Sequence, residues 1–171
     1  MKHVQMAAIA LSLPALDGLA AEDLVAFVAE DERPLRGVAG WADWRLCGEL
    51  TRQVKAGLFS GKAGETLLTV SNGRLPARRI FLFGVGPKAS ASHAALAPAL
   101  AAVARAGGRS VAVEVPGGAP LDARSRVLQD AAREAGLREV VLLHEEEAAT
   151  GRRAMAAISG TVPGLPLGGS R

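Results

Sequence analysis

Residues 58–88 read LFSGKAGETLLTV (58–70), SNGRLPAR (71–78) and RIFLFGVGPK (79–88). Two apolar, β-branched and aromatic runs, Thr66–Val70 and Arg79–Phe83, have strand length, and each is entered or left through glycine. Gly61-Lys62-Ala63-Gly64-Glu65 turns the chain into the first strand, and Gly84-Val85-Gly86 takes it out of the second. Asn72-Gly73 between them is a hairpin signal, lengthened by the residues from Arg74 to Arg78.

Working outward, the carboxyl half reads as helix from Ser92 to Ala106, strand from Val111 to Val115, helix from Asp122 to Ala135 and strand from Val140 to Leu143. Ser92 and Asp122 suit N-caps, Gly107 and Gly136 suit helix stops, and Pro98 interrupts the first helix or shifts its start. Toward the amino terminus, Leu24–Val28 is a short apolar strand bracketed by Glu22-Asp23 and Glu30-Asp31-Glu32. Between Pro34 and Gly57, Trp44, Cys47, Leu50 and Val54 recur at three- and four-residue steps, which predicts one amphipathic helix and a buried Cys47 thiol. The apolar run near Met1 has the look of a leader, but Val4–Leu13 has strand length and is stopped by Pro14 and Asp17-Gly18, so the expected element is a first strand.

Short continuous apolar strands alternating with helices predict an α/β fold of three layers, a mixed, mostly parallel sheet flanked by helices. One domain over residues 1–158 is expected, with a short helix near 152–158, followed by a flexible Gly/Pro-rich tail over 159–171.

Composition narrows the function classes. The 171 residues carry 20 basic and 17 acidic side chains, a net charge of +3 without a continuous basic tract, so duplex DNA is an unlikely partner. Four Phe, two Trp and no Tyr give an aliphatic core rather than stacking platforms for single-stranded nucleic acid. No run reaches the ~18 apolar residues of a membrane span; no membrane association and a cytoplasmic location are expected. Cys47 is the single cysteine, which excludes an internal disulfide or a thiolate metal cluster.

Two glycine turns invite a phosphate-binding reading. Gly61-Lys62 fails the Walker pattern because Ala56 stands where its first Gly belongs and Ala63 where Ser or Thr belongs. Gly61, Lys62, Gly64 and Glu65 are therefore expected to form a structural turn, with Lys62 and Glu65 on its surface. Gly84-Val85-Gly86-Pro87-Lys88-Ala89 fits G-x-G-x-x-A after a strand, with Glu114 closing the next strand, so Gly84, Gly86 and Lys88 are candidate ligand-binding residues. His144-Glu145-Glu146 begins like a zincin helix, but Ala148 replaces the second His. Ser159-Gly160 lacks the glycine flank of a nucleophile elbow. No catalytic residue, metal ligand or cofactor is assigned.

The 58–88 segment resembles the amino-terminal domain of the leucyl aminopeptidases, the M17 peptidase family, in which a Phe-x-Gly-Lys-x-Gly-Glu turn enters one strand and a Gly-x-Gly turn leaves the next. Phe59 to Glu65 and Gly84 to Gly86 carry the match. The resemblance implies a fold similar to the macro domain. In that family two metal ions are held in a second domain, marked by an Asn-Thr-Asp-Ala-Glu-Gly-Arg segment that is absent from these residues. The expected function is a non-catalytic, stand-alone protein acting through protein contacts, with an aminopeptidase catalytic chain or a second copy as partner. The alternatives are a macro-like module binding a nucleotide or ADP-ribose, and a DNA-binding regulatory domain.

Overall fold

The computed structural model describes residues 4–145; the helix expected near 152–158 and the 159–171 tail lie outside them. In chain order the elements are β1 (Gln5–Ala10), α1 (Leu13–Asp17), β2 (Asp23–Val28), α2 (Gly37–Arg45), α3 (Glu49–Lys55), β3 (Thr66–Val70), β4 (Arg79–Gly84), α4 (Leu96–Arg105), β5 (Ser110–Val113), α5 (Leu121–Ala135) and β6 (Glu139–His144).

The strands form one sheet in the order β1-β6-β5-β2-β4-β3. Every neighbouring pair is parallel except β3 with β4, the hairpin around Asn72-Gly73, where both turn residues take positive φ. The mixed, mostly parallel sheet expected from the strand and helix alternation is thus the one observed.

Alternation along the central strands divides the core in two. Leu24, Ala26, Val28, Ile80 and Leu82 face α1, α2 and α3, where Leu16, Val38, Ala42, Leu50 and Phe59 are buried with them. Val25, Phe27, Phe81, Phe83, Val111 and Val113 face α4 and α5, meeting Leu96, Leu100, Val103, Leu128 and Ala132. Phe27 and Phe83 bring their ring centroids to 6.0 Å across the β2–β4 pair.

Several boundaries differ from the sequence expectation. The single helix expected over 34–57 is two, because Cys47 and Gly48 take φ of 54° and 80° and break the ladder. Asp43 then caps the second piece, accepting from the Thr51 amide at 3.1 Å. Cys47 is consequently exposed rather than buried, and Trp44 is 64% exposed with the Arg45 guanidinium 5.3 Å from its ring centre. Small residues, Val38, Ala39 and Ala42, form the buried face of α2 instead. The first strand ends at Ala10, and Pro14 opens α1 behind Ser12, whose hydroxyl accepts from the Ala15 amide. Pro98 is the third residue of α4, where its missing N–H leaves no intrahelical bond unmade. Asp122 lies inside the first turn of α5 and does not cap it; Pro120 holds the cap position. The last strand before α5 ends at Val113, leaving Glu114 and Val115 beyond it.

Candidate functional site

At β2 and β5 the connections diverge. The chain leaves β2 through α2 and α3 toward β3 on one side, and leaves β5 through α5 toward β6 on the other. Diverging connections open a crevice beyond the carboxyl ends of two parallel neighbours, because no loop bridges them there. The structure has a cavity of about 810 Å³ at this place, lined by the strand exits of β2, β5 and β6, the start of α2 and the loop into α5.

Its walls combine apolar surface from Pro116, Pro120 and the edge of Phe27 with three cations, Arg36, Lys88 and Arg124, and three carboxylates, Glu32, Glu114 and Glu145. Lys88 is tied twice: its amide donates to Asp31 Oδ1 at 2.8 Å and its ammonium to Glu32 Oε1 at 2.5 Å. Glu32 also holds Arg36 at 3.9 Å. Arg124, in the first turns of α5, keeps a buried Nε that has no hydrogen-bond partner among the described residues. His144 ends β6 on the same rim.

Glu114 is held by backbone rather than by a cation. Its Oε2 accepts from the Val38 amide at 3.1 Å, which supplies α2 with the cap that Arg36, at the N-cap position, does not provide. The carboxylate lies directly against Gly37, where any Cβ would come within 2.6 Å of Oε2. Burial pushes its pKa up to about 7 against the backbone amides of Val38 and Phe27, which pull the other way; Glu145 and Glu32 add to the rise.

The loop from Val115 to Pro120 forms the remaining wall. Pro116 and Pro120 fix its ends, and Gly117 takes φ of 102° between them. The amides of Gly117, Gly118 and Ala119 make no hydrogen bond to the described residues, and they precede the amino terminus of a 15-residue helix. Unspent amides at a helix start suit an anionic group.

The two glycine turns highlighted by the sequence lie together. Gly86 donates to the Gly61 carbonyl at 2.9 Å, Gly84 donates to the Glu65 carbonyl at 2.8 Å, and Gly64 returns a bond to Gly84 at 3.1 Å. A Cβ on Gly84 would fall 2.0 Å from the Lys62 carbonyl oxygen, so the glycine permits backbone to meet backbone. Lys62 is exposed as expected, but Glu65 is turned inward. Its Oε2 accepts from the amides of Ser60, Gly61 and Lys62 and from the Ser60 hydroxyl, within 2.8–3.2 Å. These bonds, led by the Ser60 hydroxyl, hold the Glu65 pKa below the usual carboxylate range. The Gly84 and Gly86 amides are thus spent within the fold, and of the three candidate ligand residues Lys88 is the one whose side chain reaches the cavity. Arg36, Arg124 and the 116–120 loop were not signalled by any motif, though the Pro-Gly-Gly-Ala-Pro spacing between strand and helix is visible once the strand end is known.

A smaller cavity of about 280 Å³ lies at the opposite edge, beside Asp23 and Arg79. Asp23 is fully buried, and Arg79 binds it through two hydrogen bonds of 2.6 and 2.7 Å. The described residues contain no group of three or more His, Cys, Asp or Glu able to hold a metal ion, and no helix long and apolar enough to cross a membrane.

Comparison with known proteins agrees with this architecture. A probable cytosol aminopeptidase of Alkaliphilus oremlandii is 36% identical over 66 residues, which are 39% of this chain and 13% of that protein. The chain therefore matches a small part of that relative's length. Among solved structures, a mutant tomato leucine aminopeptidase superposes with a TM-score of 0.61 at 18% identity, over 91% of this chain and 35% of the other. The macrodomain of Mycobacterium tuberculosis DarG gives 0.60 at 18% identity, over 84% of this chain and all of that one. A Trypanosoma brucei macrodomain solved in complex with ADP gives 0.57, again at 18% identity, over 84% of this chain and 64% of its own. At these identities the structures establish a shared macrodomain-like fold. The family model for the N-terminal domain of the cytosol aminopeptidase family matches residues 24–139, most of the chain, taking in nearly all of β2, the whole of β3, β4 and β5 and the first residue of β6, and by that match the chain belongs to the cytosol aminopeptidase family through its N-terminal domain.

Proposed function

We infer that the chain is a non-catalytic binding module and that its cavity takes a nucleotide with a bridging diphosphate, of the ADP-ribose class. The observation that supports this best is the cavity at the diverging exits of β2 and β5, with Arg36, Lys88, Arg124 and the Gly117–Ala119 amides on its walls. A diphosphate meets cations and helix-start amides there, while Pro116, Pro120 and the edge of Phe27 offer apolar surface to a base. The ADP complex of the Trypanosoma brucei macrodomain, a protein of the same fold, is consistent with this ligand class. Gly84 and Gly86 enter the reading as the packed turn that presents Lys88, and Gly61, Lys62, Gly64 and Glu65 as the turn that supports it. The cytosolic description of the family supports a cytoplasmic setting.

The test is thermal: a ligand that binds only the folded state at a hundred times its Kd adds about 2.7 kcal/mol. ADP-ribose should raise the melting temperature of the full chain saturably, and Arg124→Glu should remove the rise. No shift at millimolar ADP-ribose rejects the reading.

A second reading, protein contact with an aminopeptidase catalytic chain or a second copy, is favoured by one observation. Edge strand β3 leaves Leu68 and Val70 49% and 53% exposed on the face of the sheet that carries α4 and α5. Apolar side chains on an open sheet edge suit partner binding. Co-purification of a separately expressed catalytic domain with the wild-type chain but not with a Leu68→Lys, Val70→Lys double variant supports it.

A further inference from the structure

Resting on the nucleotide reading of the cavity, we propose that Glu114 couples the binding of an anionic nucleotide to proton uptake, so that Glu114 determines both the affinity of the site and its response to pH. Geometry carries the argument. Glu114 is held at the cavity wall by a hydrogen bond from the Val38 amide at 3.1 Å and lies directly against Gly37. The charged groups that face it come from four places: Glu32 and Arg36 before α2, Lys88 after β4, Arg124 in α5, and His144 with Glu145 at the end of β6. Apart from His144, the three cations and three carboxylates of the cavity cancel when Glu114 is ionised. Protonating Glu114 leaves one net positive charge in the cavity.

Two of the three cations are already committed to Glu32, Arg36 at 3.9 Å and Lys88 at 2.5 Å. A diphosphate entering beside an ionised Glu114 meets a fixed negative charge with Arg124 as the one cation not held by that carboxylate. When Glu114 is protonated the repulsion is removed, and its O–H becomes a donor. Anion binding therefore favours the protonated form, and the same coupling makes protonation favour binding. Because Glu114 titrates close to neutrality, the coupling falls in an accessible pH range.

The experiment is calorimetric titration of the full chain with ADP-ribose, whose diphosphate has no proton to exchange near pH 7. Titrations at pH 6, 7 and 8 are run in two buffers of different ionisation enthalpy. A single linked proton predicts that Kd rises about tenfold from pH 6 to pH 8, with net proton uptake near pH 7. His144→Gln should keep that dependence, whereas Glu114→Gln should bind with a Kd that does not change with pH. If ADP-ribose binds but wild type takes up no proton, or Glu114→Gln retains the wild-type pH slope, the proposal is overturned while the nucleotide reading stands. Loss of the slope in His144→Gln reassigns the proton to the histidine and also overturns it. Absence of binding at every pH rejects both. If Glu114→Gln does not fold, the proton uptake of wild type together with that of His144→Gln decides the matter: uptake kept in both supports Glu114, and uptake lost in either overturns it.

Discussion

Glu114 Oε2 stands 3.1 Å from the Val38 amide, so a carboxylate just beyond β5 caps a helix through a residue 76 positions earlier in the chain. Arg36 cannot accept a bond from that helix start, and the cap arrives from a strand brought alongside by β2–β5 pairing. One side chain thereby joins helix, sheet and cavity wall.

That arrangement gives a stability prediction with a definite sign. The folded-state pKa of Glu114 is raised from 4.5 to about 7, so between those values the folded chain holds a proton that the unfolded chain has released. Its contribution is full below the unfolded pKa and is lost as pH rises through about 7. In Glu114→Gln this loss is absent. Urea unfolding at pH 5 and pH 8 should show wild type losing about 1–3 kcal/mol more than the variant. Equal losses would sink the assignment.

The Asp23–Arg79 pair predicts a different pattern. Asp23 has no exposed surface, and Arg79 supplies both of its side-chain hydrogen bonds in the described residues. Arg79→Leu should destabilise by about 3–5 kcal/mol, because it leaves a buried charge without its partner. Adding Asp23→Asn should recover part of that loss in a double-mutant cycle; additive losses would mean the pair does not act as a unit.

Two glycines in neighbouring turns should respond unequally to alanine. Gly64 has φ of 82° with nothing within 4 Å of an added Cβ, so Gly64→Ala costs about 1 kcal/mol of backbone strain. Gly84→Ala drives its Cβ into the Lys62 carbonyl at 2.0 Å and should cost more than about 3 kcal/mol. Glu65→Ala, which frees three amides and a hydroxyl, should cost about 1–3 kcal/mol. Denaturant midpoints in the reverse order would contradict this account of the turn.

Surface changes on β3 separate contact from folding. Leu68→Lys with Val70→Lys should move stability by no more than about 0.5 kcal/mol per site, since both side chains are about half exposed. A larger loss by thermal melting would mean that this face is packed in the folded chain.

The sheet was legible because the decisive signals are local: apolar runs of strand length, the Asn72-Gly73 turn, and Phe59 to Glu65 entering β3. Parallel pairing followed from helices between strands. The break at Cys47-Gly48 was hidden because apolar spacing continued through it, and only the left-handed backbone interrupts the helix. The inward turn of Glu65 leaves no trace in the sequence, because its partners are mostly backbone amides, which every sequence carries alike. The cavity was the least legible feature. Its walls come from residues as distant as Arg36, Lys88 and Arg124, which meet only after β2 and β5 pair. The Gly84–Lys88 turn lies at the same edge of the sheet as the cavity, yet most of its glycine chemistry is consumed in packing against Gly61 and Gly64.

The most direct test of the central claim is a backbone-amide NMR titration of the full chain with ADP-ribose. The account predicts saturable shifts concentrated at Gly117, Gly118 and Ala119 and in the first turn of α5, with the Arg124 Nε–H resonance moving in step and the amides of Gly84 and Gly86 little changed. Shifts centred on Gly84 and Gly86, or none at saturating nucleotide, would contradict it.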